Sequence, residues 1–227
     1  METITVVAFI KAVDEQFFDA FLNGEICMNS LKWFQKHESE NAAIGDKYDG
    51  ASFAISDNAS FYLSPSGNRE DLKLITDKAR DVLLYNDNKH WNILSLYAIY
   101  EVVNGIHYIP KKFISEFNHR RFCLITAPNC FISRLENEIK KQGFSPKHRL
   151  VTYYEPDKSG KFLNPFVKRN IYSYQNEARV SFQNSRNEQK IFNIGSLQYI
   201  AKEIHPENEM YVIPDSLGND LIIMKEP

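Results

Sequence analysis

The stretch Tyr172-Ser-Tyr-Gln-Asn-Glu-Ala-Arg-Val-Ser-Phe182 constrains this chain more than any other. Read as a β-strand, its side chains alternate between two faces. Gln175, Glu177, Arg179 and Ser181 fall on one face. Asn176, Ala178, Val180 and Phe182 fall on the other, which turns apolar from Ala178 onward. One face is then able to pack on a core while the other presents an amide, a carboxylate and a guanidinium in a row. Such a row is either a solvated face of a half-exposed sheet or a chemical site.

The rest of the chain is able to supply that core. At 227 residues it suits one domain spanning 1–227, with room for a sub-lobe. An apolar content of 43%, with 16 Phe and 12 Tyr, is ample for packing. A formal net charge of −2 argues neither for nor against a nucleic-acid partner. Local basic clusters at Lys111-Lys112, His119-Arg120-Arg121, Lys140-Lys141 and Lys168-Arg169 are expected to be solvated helix ends or loops. Cys27, Cys123 and Cys130 lack CxxC spacing, and the first two sit in apolar runs, as buried small hydrophobes would. That usage fits a reducing compartment. No basic region precedes an apolar stretch at Met1, and no run of about eighteen apolar residues occurs, so a cytoplasmic protein without a membrane span is expected.

In chain order, Thr3 to Ile10 predicts a first strand with Lys11 at its end. Phe17, Phe18, Phe21 and Leu22 recur at helical spacing, and Asn23-Gly24 ends that helix. Glu25 to Met28 predicts a second strand, followed by a helix carrying Leu31, Trp33 and Phe34 with Asn29 or Ser30 as N-cap. Residues 51–64 predict a hairpin, and Arg69 to Leu84 an amphipathic helix. Trp91 to Val103, Arg121 to Ala127 and His148 to Tyr154 predict strands. Lys111 to Phe117 predicts a short helix, and Pro128 and Gly143 bracket a longer one lined by Phe131, Leu135 and Ile139. Residues 155–170 predict a connection. Lys190 to Ile194 and Leu221 to Met224 predict strands, and Leu197 to Glu203 a short helix. Many short strands with a few helices, and no regular alternation, predict an α+β fold of mixed, mostly antiparallel sheets.

Several chemistries lack their signatures. There is no GxGxxG, P-loop or GxSxG motif, and no His/Cys spacing for zinc. Glu38, Glu40, Asp46 and Asp49 are acidic enough, with Glu177, to suggest a Mg²⁺-dependent nuclease, but they lack DxD spacing. Loop capping suits Asp46 and Asp49 better. His37 and the other five histidines suit surface or capping roles.

The block Phe21-Leu-Asn-Gly-Glu-Ile-Cys-Met-Asn-Ser-Leu-Lys-Trp-Phe34 continues with Glu38, Asp46 and Tyr48-Asp-Gly50. Together with Tyr174 to Arg179 and Ile194-Gly-Ser-Leu197, it resembles a group of bacterial and phage proteins. Their architecture is similar to the ADP-ribosyltransferase fold of bacterial and phage-defence toxins. A Gln two residues before a Glu is also the arrangement at the catalytic strand of one class of these enzymes. The resemblance implies an ADP-ribosyltransferase-like toxin, in a phage-defence or toxin–antitoxin setting, that takes NAD as substrate. It implies transfer of ADP-ribose to RNA, DNA or protein, and a neutralising antitoxin partner. Glu177 would then stabilise the oxocarbenium-like transition state, and Gln175 would orient the acceptor. Lys11 would contact the pyrophosphate, Ser30 would support the ribose pocket, Phe34 or Tyr48 would stack on nicotinamide, and Arg179 would join the cofactor contacts. Lys11 stands where Arg or His is usual and offers a point charge without a planar fork. Asn29-Ser30 replaces the usual Ser-Thr-Ser, and for Ser30 a plain N-cap is the simpler expectation. The rival from the residues alone is a non-catalytic recognition module of a phage or defence system.

Overall fold

A computed structural model describes residues 5–37, 48, 51–55, 59–65, 69–79, 82–85, 90–100, 105–155, 161–214 and 220–227. The first half of the chain holds β1 (Ala8–Asp14), β2 (Glu25–Ser30), β3 (Ala51–Ile55), β4 (Ala59–Leu63), β5 (Lys73–Ala79), β6 (Val82–Tyr85), β7 (His90–Ile99) and β8 (Ile106–Ile109). The second holds β9 (Arg120–Ile125), β10 (Lys147–Leu150), β11 (Thr152–Tyr154), β12 (Lys161–Phe162), β13 (Val167–Arg169), β14 (Glu177–Asn184), β15 (Lys190–Asn193), β16 (Ala201–Ile204), β17 (Tyr211–Pro214) and β18 (Asp220–Lys225). The helices are α1 (Phe18–Leu22), α2 (Leu31–His37), α3 (Lys111–Glu116) and α4 (Pro128–Lys141). Among the described residues none of them is long and apolar enough to cross a membrane. The result is α+β with mostly antiparallel pairing, and among the described residues the parallel pairs are β11 with β13 and β18 with β8.

The central sheet runs β10-β14-β7-β1-β9-β16, and it forks. One edge of β7 carries β14 along its length, from Glu177 opposite Tyr97 to Asn184 opposite His90. The other edge carries β1 at residues 97–99 and β2 at residues 92–93. Residues 94–96 of β7 therefore face the crotch between two diverging strands. β2 continues outward to β15.

Strand alternation divides the side chains between two cores. Leu94, Leu96 and Ala98 of β7 and Ala178, Val180 and Phe182 of β14 share one core with α1 and α4. The i, i+4, i+8 spacing of Phe131, Leu135 and Ile139 sets one stripe of α4 into it, with all three fully buried. Each such side chain contributes roughly 1.5–3 kcal/mol by leaving water. The opposite face, with Ile10, Tyr97 and Ile99, packs on Phe113 and Ile114 of α3 and on Ile213, Leu221 and Ile223 of β17 and β18. A third, small core joins Tyr48, Ala51, Ala54, Tyr154 and Leu163.

Several expectations are corrected. The helix expected over Arg69 to Leu84 is a short 3-10 turn followed by β5 and β6. Its apolar stripe is split, with Leu72 and Ile75 exposed and only Leu83 packed on the third core, and a helix that buries so little loses to cross-strand pairing. β3 and β4 do not form the expected hairpin: β3 pairs with β6 and β12, and β4 with β5. Leu197 to Glu203 is a turn leading into β16, recruited by the open edge of β9. β1 begins later and runs further than expected, so Lys11 lies within it. Val102 and Val103 lie outside the described residues. Cys27 is exposed and His107 is buried, where it meets the Tyr97 hydroxyl at 2.9 Å.

Candidate functional site

The stretch from Tyr172 to Phe182 is not one strand. Asn170–Gln175 is a 3-10 turn, Asn176 is left-handed at φ 40°, and β14 starts at Glu177. Asn is one of the few non-glycine residues that visits this conformation. Four bonds hold it there, one of them the Asn176 N–H donating to the Ser173 carbonyl at 3.0 Å. The Tyr100 hydroxyl donates to Asn176 Oδ1 at 2.6 Å, Asn176 Nδ2 donates to the Ala98 carbonyl at 2.7 Å, and the Ala98 N–H donates to the Asn176 carbonyl at 2.9 Å.

The kink aims two side chains at one point. Lys168 Nζ, from β13, donates to Glu177 Oε1 at 2.5 Å and to Gln175 Oε1 at 2.6 Å. Arg179 Nε donates to Glu177 Oε2 at 2.7 Å. Gln175 Nε2 donates to the Tyr174 hydroxyl at 3.1 Å, and that hydroxyl in turn donates to Glu116. The Glu177 N–H donates to the Tyr153 hydroxyl at 2.8 Å, and Arg179 Nη1 donates to the Pro165 carbonyl at 2.7 Å. Gln175, Glu177, Lys168 and Arg179 are exposed by only 3%, 6%, 4% and 1%. They are therefore not the solvated face, nor the solvated basic loop, that their sequence allowed.

Burial by itself pushes the Glu177 carboxyl up. The charges and hydrogen bonds of Arg179 and Lys168 outweigh it and hold the group well below the usual carboxylate range, so it is ionised. Burial and the Glu177 charge push the Tyr153 phenol up, so it stays a neutral hydroxyl.

Lys11 sits at the fork. Its ammonium donates to the Ser95 carbonyl at 2.9 Å, in the part of β7 that neither β1 nor β2 pairs. By register, Ile10, Tyr97 and Glu177 form one row, and Lys11 starts one residue beyond it on the other face of β1. Burial and the repulsion of Arg120 lower its pKa to about 8, while Glu177, Cys27 and Asp14 pull the other way.

No family model matches the chain. No curated protein and no solved structure matches it significantly either.

The structure brings together Glu177, Gln175 and Arg179, with Lys11 close enough for its charge to be felt. It does not add the other candidates to them. Ser30 Oγ accepts the Trp33 N–H at 3.2 Å as the N-cap of α2, in register with Asn92 and Phe182 on the opposite face of the sheet. Phe34 is half-buried and packs edge-on against Trp33, with ring centroids 5.0 Å apart. Tyr48 is buried in the third core with the Arg169 guanidinium 4.1 Å above its ring. His37 is the last residue of α2. Glu38, Glu40, Asp46 and Asp49 lie outside the described residues, and among those described no three His, Cys, Asp or Glu gather to hold a metal ion. The basic pair in β9 is already engaged, Arg120 with Asp14 at 2.9 Å and Arg121 with Glu203 at 2.5 Å.

Lys168, Tyr153, Tyr174 and Asn176 escaped the sequence reading. For Lys168 the signal was indirect: a carboxylate that is buried needs a cation, and only the burial of Glu177 says so. Two surface hollows, of about 510 and 580 Å³, lie on α4 beside Ile194 and at residues 70–73, and neither includes Glu177.

Proposed function

We propose that the chain is an ADP-ribosyltransferase-like enzyme that cleaves NAD and passes ADP-ribose to a macromolecular acceptor, in a defence or toxin–antitoxin setting with a neutralising partner. One observation carries this: Glu177 Oε1 and Gln175 Oε1 converge on a single ammonium, 2.5 and 2.6 Å away. That ammonium is a cationic hydrogen-bond donor. A ribose hydroxyl beside a developing oxocarbenium ion presents the same combination. An ionised carboxylate stabilises that charge as the bond from ribose to nicotinamide breaks. The electron pair leaves with nicotinamide, and the acceptor's nucleophile forms the new bond to the same carbon.

The charges fit a dinucleotide. With Glu177 paired to Arg179, Lys11, whose charge Glu177 feels, is the cation left to meet a pyrophosphate. Gln175, whose other end is fixed by Tyr174, would orient the acceptor. Ser30 and Tyr48 do not fit the roles expected of them, since one caps a helix on the far face and the other is covered by Arg169.

The competing reading is a non-catalytic module. It is favoured by the fact that both Glu177 oxygens already have partners inside the chain, which is how a purely structural ion cluster looks.

Nicotinamide release from NAD decides between them. The wild type or Lys168→Ala should release nicotinamide, and Glu177→Gln, folded by circular dichroism, should not. If neither the wild type nor Lys168→Ala exceeds Glu177→Gln, the enzyme reading falls.

A further inference from the structure

We propose that residues 163–169 form a strap by which the chain occupies its own catalytic carboxylate, so that a ribose hydroxyl reaches Glu177 only after the strap lifts Lys168 away. The inference rests on the transferase reading for the identity of the ligand and on the geometry for the block.

The two partners of Glu177 are not equivalent. Arg179 lies two residues along the same strand and takes Oε2. It moves with Glu177 and keeps the carboxylate paired whatever the strap does. Lys168 comes from another segment and takes Oε1, the oxygen that shares its target with Gln175. Withdrawing Lys168 therefore frees one oxygen and one amide without stranding a buried charge. Removing Arg179 would not.

The strap is held from outside the central sheet, with Leu163 and Phe166 buried and Val167 packed on the third core. β13 pairs only with β11, over three register positions, and neither belongs to the central sheet. Beyond that pairing it is tied by the Leu163 N–H to the Ser52 carbonyl at 3.0 Å, the Arg179 bond to the Pro165 carbonyl, the Thr152 N–H to the Phe166 carbonyl at 2.8 Å, Arg169 Nη2 to the Tyr172 hydroxyl at 3.3 Å, and Lys168 itself. By contrast β14 pairs with β7 over eight positions. An element with few pairings opens locally before the sheet does. The ammonium is also a poor permanent tenant, since it adds a second buried cation to a carboxylate that Arg179 already neutralises.

NAD affinity measured by calorimetry tests the strap, and nicotinamide release tests the chemistry separately. Lys168→Ala should bind NAD at least tenfold more tightly than the wild type, and Lys168→Ser should do the same if the alanine variant folds poorly. Ethylammonium should cancel the gain in Lys168→Ala by refilling the vacated position. In the wild type, saturating NAD should speed amide exchange at residues 166–169. Equal NAD affinity in folded variant and wild type, absence of binding by both included, overturns the strap, as does unchanged exchange. Tighter binding without nicotinamide release upholds the strap and removes the transferase. Release at equal rates with equal affinity does the reverse.

Discussion

The Tyr100 hydroxyl reaches across from the end of β7 to hold the side-chain carbonyl of Asn176, 2.6 Å away, and this bond aims Gln175. The left-handed residue between them sets the angle at which Gln175 meets Glu177. Tyr100→Phe should therefore lower stability by about 0.5–1.5 kcal/mol, the usual net worth of one hydrogen bond. Asn176→Val should cost more, because a β-branched residue resists positive φ and both side-chain bonds are lost. Urea unfolding measures both. If Asn176→Val matched the wild type, the kink would not be what positions Gln175.

The ion cluster should make the protein acid-sensitive. The folded carboxyl of Glu177 titrates below the unfolded value of roughly 4.3. Its contribution is thus present above that value and lost as pH falls through it toward the folded one. Urea midpoints taken from pH 7 down to pH 3 should fall more steeply for the wild type than for Glu177→Gln. At pH 7 the variant should be the weaker by about 3–5 kcal/mol, since it leaves Lys168 and Arg179 without their buried counter-charge. Parallel acid profiles would mean that the carboxylate is solvated.

Lys11 acts in the opposite pH range. Its folded pKa, about 8, lies below the unfolded value of roughly 10.4. Between the two the unfolded chain binds the proton and the folded one does not, so stability rises with pH across that window. The wild type should gain stability from pH 8 to pH 10 relative to Lys11→Met, which has no such charge to lose. A difference between the two that stays flat across the window would place the ammonium in water.

The general architecture was legible where pattern and burial agree. The stripe of α4 and the alternation of β14 from Ala178 onward could be read directly, because each has one apolar face with a core to meet. The segment from Leu72 to Leu84 misled, because most of its helical spacing has no core behind it and only Leu83 meets the third one. At the site, Glu177, Gln175 and Arg179 could be read from their two-residue spacing, although Gln175 reaches the site through a kink and not along a strand. Lys168 could not, since its contact spans nine residues of irregular chain and no local period encodes it. The Asn23-Gly24 helix end and the Ile194-Gly195 stretch, far apart in sequence, prove to be each other's packing partners, with the Ile194 N–H donating to the Gly24 carbonyl at 2.9 Å.

That last contact makes a strict prediction. Gly24 has φ +96°, and a Cβ there would stand 2.2 Å from the Gly195 carbonyl oxygen, a backbone atom that has no rotamer to escape into. Gly143 has a similar φ of +85° but nothing within 4 Å of the same position. Gly143→Ala should therefore cost only the conformational strain, about 1–2 kcal/mol. Gly24→Ala carries the same strain and must also part the turn after α1 from the segment that follows β15, so its loss should clearly exceed that of Gly143→Ala. Thermal and urea unfolding of the two variants, compared side by side, isolate the contact from the backbone term. Equal losses would mean that the two segments do not touch, and would remove the packing that holds β2 and β15 on their branch of the fork.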